Sequence, residues 1–142
     1  MGGFDTHADQ TNKDAFGTLT GTHANLMKNL SDAIAAFQDD LQLLKQDHRV
    51  AGFTFSEFGR RIRSNASYGT DHGAAAPMLV FGSGVIPGIL GSNPQIPKNT
   101  KVGDSVVADP NHDFRNIYAT ILNQWFGIAE SEIQRIMDNK PD

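Results

Sequence analysis

The sequence predicts an α/β layered fold, and three observations carry that prediction. One long amphipathic helix occupies the first third of the chain. Short β-rich segments punctuated by glycine fill the middle, and the last third returns to helical periodicity. In layered folds of this kind, polar site residues gather in loops at the carboxyl ends of strands.

Residues 4–21 (FDTHADQTNKDAFGTLTG) are polar and glycine-punctuated and read as a loop. Leu26, Leu30, Ile34, Phe37, Leu41 and Leu44 then recur at intervals of four, four, three, four and three, which makes one apolar stripe on a helix. Thr22 or Asn25 is the expected cap at its start, and Asp47-His48 the expected end. Val50 to Ser56 (VAGFTFS) is β-rich and predicts a short buried strand. A polar loop, EFGRRIRSNASYGTDHG, follows it. Pro77 to Gly82 is a second strand candidate. Val85 to Leu90 and Lys101 to Ala108 predict two further strands, together a β-arm, with SNPQIPKN as the loop between them. Phe114, Ile117, Tyr118, Ile121, Leu122 and Trp125 form another helical stripe, with Asp113 as N-cap and Gly127 as stop. A short helix from Glu130 to Met137 closes the chain, with Ile133, Ile136 and Met137 facing inward.

At 142 residues, the chain is expected to form a single domain over 1–142. A net charge of −4 leaves no basic face to displace phosphate counterions, which excludes nucleic acid as the expected partner. The absence of cysteine excludes thiol catalysis and thiolate metal sites. No stretch approaches the roughly 18 apolar residues of a membrane span, so no membrane partner is expected. The opening MGGFDTHADQ lacks a basic segment followed by an apolar run, so no signal peptide is expected within the chain. It reads like the end of a strand running into a turn, which predicts that the chain starts partway through a larger domain.

Three polar clusters lie in loops rather than on apolar stripes. They are Asp5-Thr6-His7, Ser56-Glu57-Phe58-Gly59-Arg60, and Gly69-Thr70-Asp71-His72-Gly73. Asp, Glu and His are the ligand set of zinc, manganese and similar divalent cations. The neighbouring glycines let backbone approach an ion or an anionic substrate closely. Each cluster also reads as an ordinary turn, since Asp and glycine form turns without any metal. No Gly-x-Ser-x-Gly elbow marks a serine hydrolase. His23 and His48 flank the long helix as capping or solvated residues, and His112 reads as a turn residue.

The blocks GGFDTHADQ, LSDAIAAFQDDL, FTFSEFGRRIRSN, GTDHGAAAPMLVFGSGV and DFRNIYATILNQWFG follow one another along nearly the whole chain. Together they resemble the C-terminal part of the bacterial family catalogued as domain of unknown function 1501. That resemblance implies a fold like the alkaline phosphatase and sulfatase superfamily: a partial three-layer sandwich, mixed sheet with flanking helices, lacking its N-terminal part. It implies metal-dependent phosphate or sulfate ester hydrolysis in the full-length protein, with a small anionic ester as substrate. It also implies a zinc, manganese or calcium ion and an exported or periplasmic location for full-length members. By the same resemblance, Asp5 and His7 match the first ligand turn, and Glu57 with Phe58 occupies the place of an Asp-His pair. Asp71 or His72 matches a later histidine ligand, and Arg60 would face the ester. Phe58 cannot bind a metal, the Asp-x-His spacing is tighter than usual, and the superfamily's nucleophile lies in an N-terminal portion this chain lacks. The chain alone is therefore expected to be inactive, and a non-catalytic binding or structural module that keeps the fold is the alternative. Exposed sheet edges and an exposed apolar face in such a partial layer predict homo-oligomerisation, domain swapping or poor solubility unless another chain, such as a missing N-terminal portion, covers them.

Overall fold

The computed structural model describes residues 2–13, 17–106 and 113–137. The chain divides into two compact units, Met1–Val107 and Ala108–Asp142.

In the first unit a 3₁₀ turn, Gly17–Leu19, precedes helix α1, Thr22–Leu43. Its N-cap is Gly21 rather than Thr22 or Asn25, with φ at 109°. A Cβ there would sit 2.8 Å from the Asn12 nitrogen, so only glycine permits this entry. The helix ends at Leu43, before Asp47-His48, because a Schellman motif closes it. Gln46 N–H donates to the Leu41 carbonyl (2.9 Å) and Lys45 N–H to that of Gln42 (3.0 Å). Lys45 supplies the left-handed residue, φ 55°. Asp47–Arg49 then forms a separate 3₁₀ turn. Of the apolar stripe, Leu41 is buried at 8 % exposure, while Phe37 and Leu44 are exposed. Leu30 and Ile34 line a shallow apolar groove with Met27 and Leu79.

Four two-residue strands follow. β1 (Gly52–Phe53) pairs antiparallel with β4 (Val80–Phe81), and β2 (Gly59–Arg60) pairs antiparallel with β3 (His72–Gly73). The two expected strands thus pair with each other, Val50–Ser56 through Gly52–Phe53 and Pro77–Gly82 through Val80–Phe81, but only briefly. Thr54 extends the contact, exchanging bonds with Leu79 through its backbone N–H and its hydroxyl. The β-arm does not form. Residues 85–91 hold no strand, and Pro87-Gly88 leaves Ile86, Ile89 and Leu90 exposed. In the other half of the arm, Ser105 makes a single bridge to Arg61, and Lys101–Asp104 is a turn; residues 107 and 108 lie outside the described residues.

In the second unit, α2 (Phe114–Thr120) starts at Asp113, whose carboxylate accepts from Arg115 N–H, as expected of that cap. A π-turn over Ile121–Trp125 continues it, and Gly127, at φ 67°, stops it. Helix α3 spans Glu130–Met137, the span the periodicity predicts. Ile133 is buried at 2 % exposure, but Ile136, one turn further along the same face, is exposed. His112 lies outside the described residues. No helix among the described residues is long and apolar enough to cross a membrane.

Candidate metal centre

The β2–β3 pair is the scaffold of the site. Its register sets Gly59 opposite Gly73 and Arg60 opposite His72. A Cβ on Gly59 would lie 1.7 Å from the Ala75 carbonyl oxygen, so this approach requires glycine. The loop bearing Asp5 and His7 then packs against residues 67–70. Asp9 N–H donates to Ser67 O (2.9 Å), Gln10 N–H to Tyr68 O (3.0 Å), and Thr70 N–H to Thr6 O (3.2 Å). Gly69 meets this loop directly, and a Cβ there would lie 2.2 Å from the His7 carbonyl carbon. The buried Thr6 hydroxyl and the Thr70 hydroxyl both donate to Gln10 Oε1, at 3.1 and 2.7 Å.

This packing brings together side chains from the first and third clusters. His7 Nε2, His72 Nε2 and Asp5 Oδ1 form a triangle whose three edges are each 3.0 Å. The side chains are half exposed, 47 % for each histidine and 51 % for Asp5, so one face of the triangle is open to solvent. A neutral imidazole carries one N–H and one lone pair, and a carboxylate carries only lone pairs. Three such atoms converging on one point repel unless a proton or a cation lies between them. Adjacent ligands of one ion with bonds of roughly 2.0–2.1 Å stand about 3.0–3.3 Å apart, so the triangle has the spacing a single ion requires.

Asp71 lies outside the triangle. Its Oδ1 is 3.3 Å from His7 Nδ1, on the opposite edge of the ring. Glu57 is exposed and is not part of the three-residue group. Arg60 directs its donors inward, to Thr70 O (2.8 Å), Phe4 O (2.7 Å) and Asp5 Oδ1 (2.6 Å). Through the last of these bonds it braces a prospective ligand.

Two residues that sequence reasoning did not select complete the site. Phe58 stacks on the His72 ring, centroids 3.6 Å apart and planes 15° from parallel. Phe58 thus serves as a shelf for the His72 ring. Asn65 is the hub of the loop. Its Oδ1 accepts from Ser67 and Gly69 N–H, and its Nδ2 donates to His7 O (2.9 Å) and Asp71 Oδ1 (3.0 Å). The signal for it was an Asn two residues before a Ser in a glycine-bearing loop, the pattern of an Asx turn.

The electrostatics keep both carboxylates ionised. Partial desolvation pushes Asp5 up, but hydrogen bonds from His72 and Arg60 and the nearby imidazoles outweigh it, holding the carboxyl below its ordinary value. For Asp71, the hydrogen bonds from Asn65 and then His7 lower the value; desolvation opposes them and the Arg61 charge assists.

The strand-end loops and the open His-His-Asp cluster define a chain with a prospective single-ion centre. The chain belongs to the family described as protein of unknown function (DUF1501), which matches residues 1–137. Neither the curated proteins nor the solved structures yield a match to it.

Proposed function

We propose that this chain carries the metal-binding loops of a metal-dependent phosphate or sulfate ester hydrolase. In this proposal the fold is an alkaline-phosphatase-like three-layer sandwich of which the chain is the C-terminal portion. Asp5, His7 and His72 hold one divalent cation. The observation that supports this is the 3.0 Å triangle of three ligand atoms with an open face. Two nitrogens and one carboxylate oxygen suit zinc or manganese better than calcium, which takes six to eight oxygens. A cation there would supply Lewis-acid polarisation of an ester oxygen. Asp5 and the histidines would orient it, and Arg60 would hold Asp5 in place.

The test is metal content and uptake. Protein stripped of metal should take up one equivalent of zinc or manganese, and His72→Ala should abolish that uptake. The chain alone should turn over aryl phosphates and sulfates little or not at all. Absence of uptake in the wild type, or turnover that survives His72→Ala, would contradict the assignment.

One observation favours a second reading, a non-catalytic module that binds an ion or a partner. The hydroxyls beside the ligands, Thr6 and Thr70, are committed to Gln10, and Ser56 donates to the Phe58 carbonyl. None of these is presented to the triangle as a nucleophile. Turnover by a metal-loaded full-length protein would exclude this second reading.

A further inference from the structure

Asp71 was a candidate ligand by sequence, yet its geometry gives it a different task. It faces His7 Nδ1, while His7 Nε2 faces the triangle. Its carboxylate is anchored on its other sides, Oδ1 by Asn65 Nδ2 at 3.0 Å and Oδ2 by Arg61 Nη1 at 3.5 Å. Arg61 Nε in turn donates to the His72 carbonyl, and Asn65 Nδ2 also donates to that of His7. The groups that hold Asp71 therefore also hold the backbone of both histidines.

We propose that Asp71 is a positioning residue that fixes the proton of His7 on Nδ1 and so turns the Nε2 lone pair toward the ion; this rests on the metal reading above. The alternative tautomer would set a bare Nδ1 lone pair against the Asp71 carboxylate, two acceptors with no proton between them. With the proton on Nδ1, His7 Nδ1–H donates to Asp71, and His7 Nε2 turns its lone pair to the triangle. There the His72 Nε2–H, 3.0 Å from both His7 Nε2 and Asp5 Oδ1, is shared between these two acceptors, and Arg60 also donates to Asp5. An ion arriving at the triangle displaces the His72 Nε2 proton. To bind as a neutral ligand, His72 then carries its proton on Nδ1, whereas His7 needs no change of tautomer. A carboxylate behind a ligating imidazole also raises its basicity, and removal of such partners weakens metal binding by about 10–100-fold.

The experiment compares wild type, Asp71→Asn and Asp71→Ala by three measurements. Zinc affinity, from competition with a chelator, should fall by about 10–100-fold in Asp71→Ala and less in Asp71→Asn, which keeps the shape and an acceptor. X-ray absorption of the zinc-loaded proteins should show two imidazole nitrogens and one carboxylate oxygen from the protein in all three. Long-range ¹H–¹⁵N spectra of the metal-free wild type should show His7 Nδ1 protonated, and Asp71→Ala should shift that proton toward Nε2. An unchanged affinity in Asp71→Ala overturns the proposal, as does loss of an oxygen from the zinc shell, which would make Asp71 a ligand. A bare His7 Nδ1 in the metal-free wild type overturns it too. If the wild type takes up no zinc, the metal reading fails, while the Nδ1 proton still decides the role of Asp71.

Discussion

At the residue scale, His72 depends on support from both ring and backbone. Phe58 stacks on its ring, and Arg61 donates to its carbonyl at 3.2 Å. An aromatic stack contributes about 0.5–1.5 kcal/mol beyond burial, so Phe58→Ala should weaken zinc binding by roughly two- to tenfold without removing a ligand. Competition titration against wild type measures this, and an unchanged affinity would show that the shelf is idle. Gly69 poses a sterner constraint, because a methyl group there would meet the His7 backbone at 2.2 Å. Backbone cannot yield as a side-chain tip can, so the loop must move and carry His7 out of the triangle. Gly69→Ala should therefore lower zinc affinity by about tenfold or more, at the 1–3 kcal/mol typical of overpacking. Asp5, His7 and His72 were legible as ligand types in ligand-rich turns. The division of labour between His72, which opens β3, and Asp71, which precedes it, was not, because composition carries neither strand boundaries nor register.

At the element scale, the ends of the helices carry the clearest local signals. Asp113 was legible as the cap of α2 from its position before an apolar stripe. Its carboxyl is held down to about 2 by the Arg115 side chain, and then by the Arg115 backbone N–H. The sign follows from the direction. A carboxyl lowered from its ordinary 3.8 contributes stability that is complete above about pH 4 and is lost as pH falls through about 2. Helical circular dichroism followed through that window should show wild type losing signal where Asp113→Asn, which still caps, shows no such step. The end of α1 was misjudged because the Schellman motif uses Lys45 where glycine is usual, so no glycine marked it. A non-glycine residue in the left-handed region costs about 1–2 kcal/mol, partly offset by the greater unfolded freedom of glycine. Lys45→Gly should thus stabilise the first unit by roughly 0.5–1 kcal/mol in denaturant melts. Lys45→Ala, which keeps the strain, should not.

At the scale of the whole molecule, the apolar stripes that predicted the helices are for the most part only half-buried. Among the described residues of the first unit, Leu41 is the one large apolar side chain that is buried, while Leu43, Leu44 and Phe55 are exposed. The densest uncovered stretch is the failed β-arm, where Ile86 and Ile89 are each 92 % exposed and Leu90 nearly so. Periodicity reports which face a helix or strand would bury, and the partner that buries it is not encoded in the period. Exposed apolar surface contiguous over several residues favours association, since each buried Å² contributes roughly 25 cal/mol. The chain on its own should therefore self-associate as its concentration rises and bind a hydrophobic dye in its native state. Sedimentation velocity across a concentration series measures the first, and dye fluorescence the second. Ile86→Ser with Ile89→Ser should reduce both while leaving zinc affinity unchanged, because neither residue belongs to the ligand triangle or its supports. A wild type that stays monomeric and binds no dye would show that these side chains find cover within the chain itself.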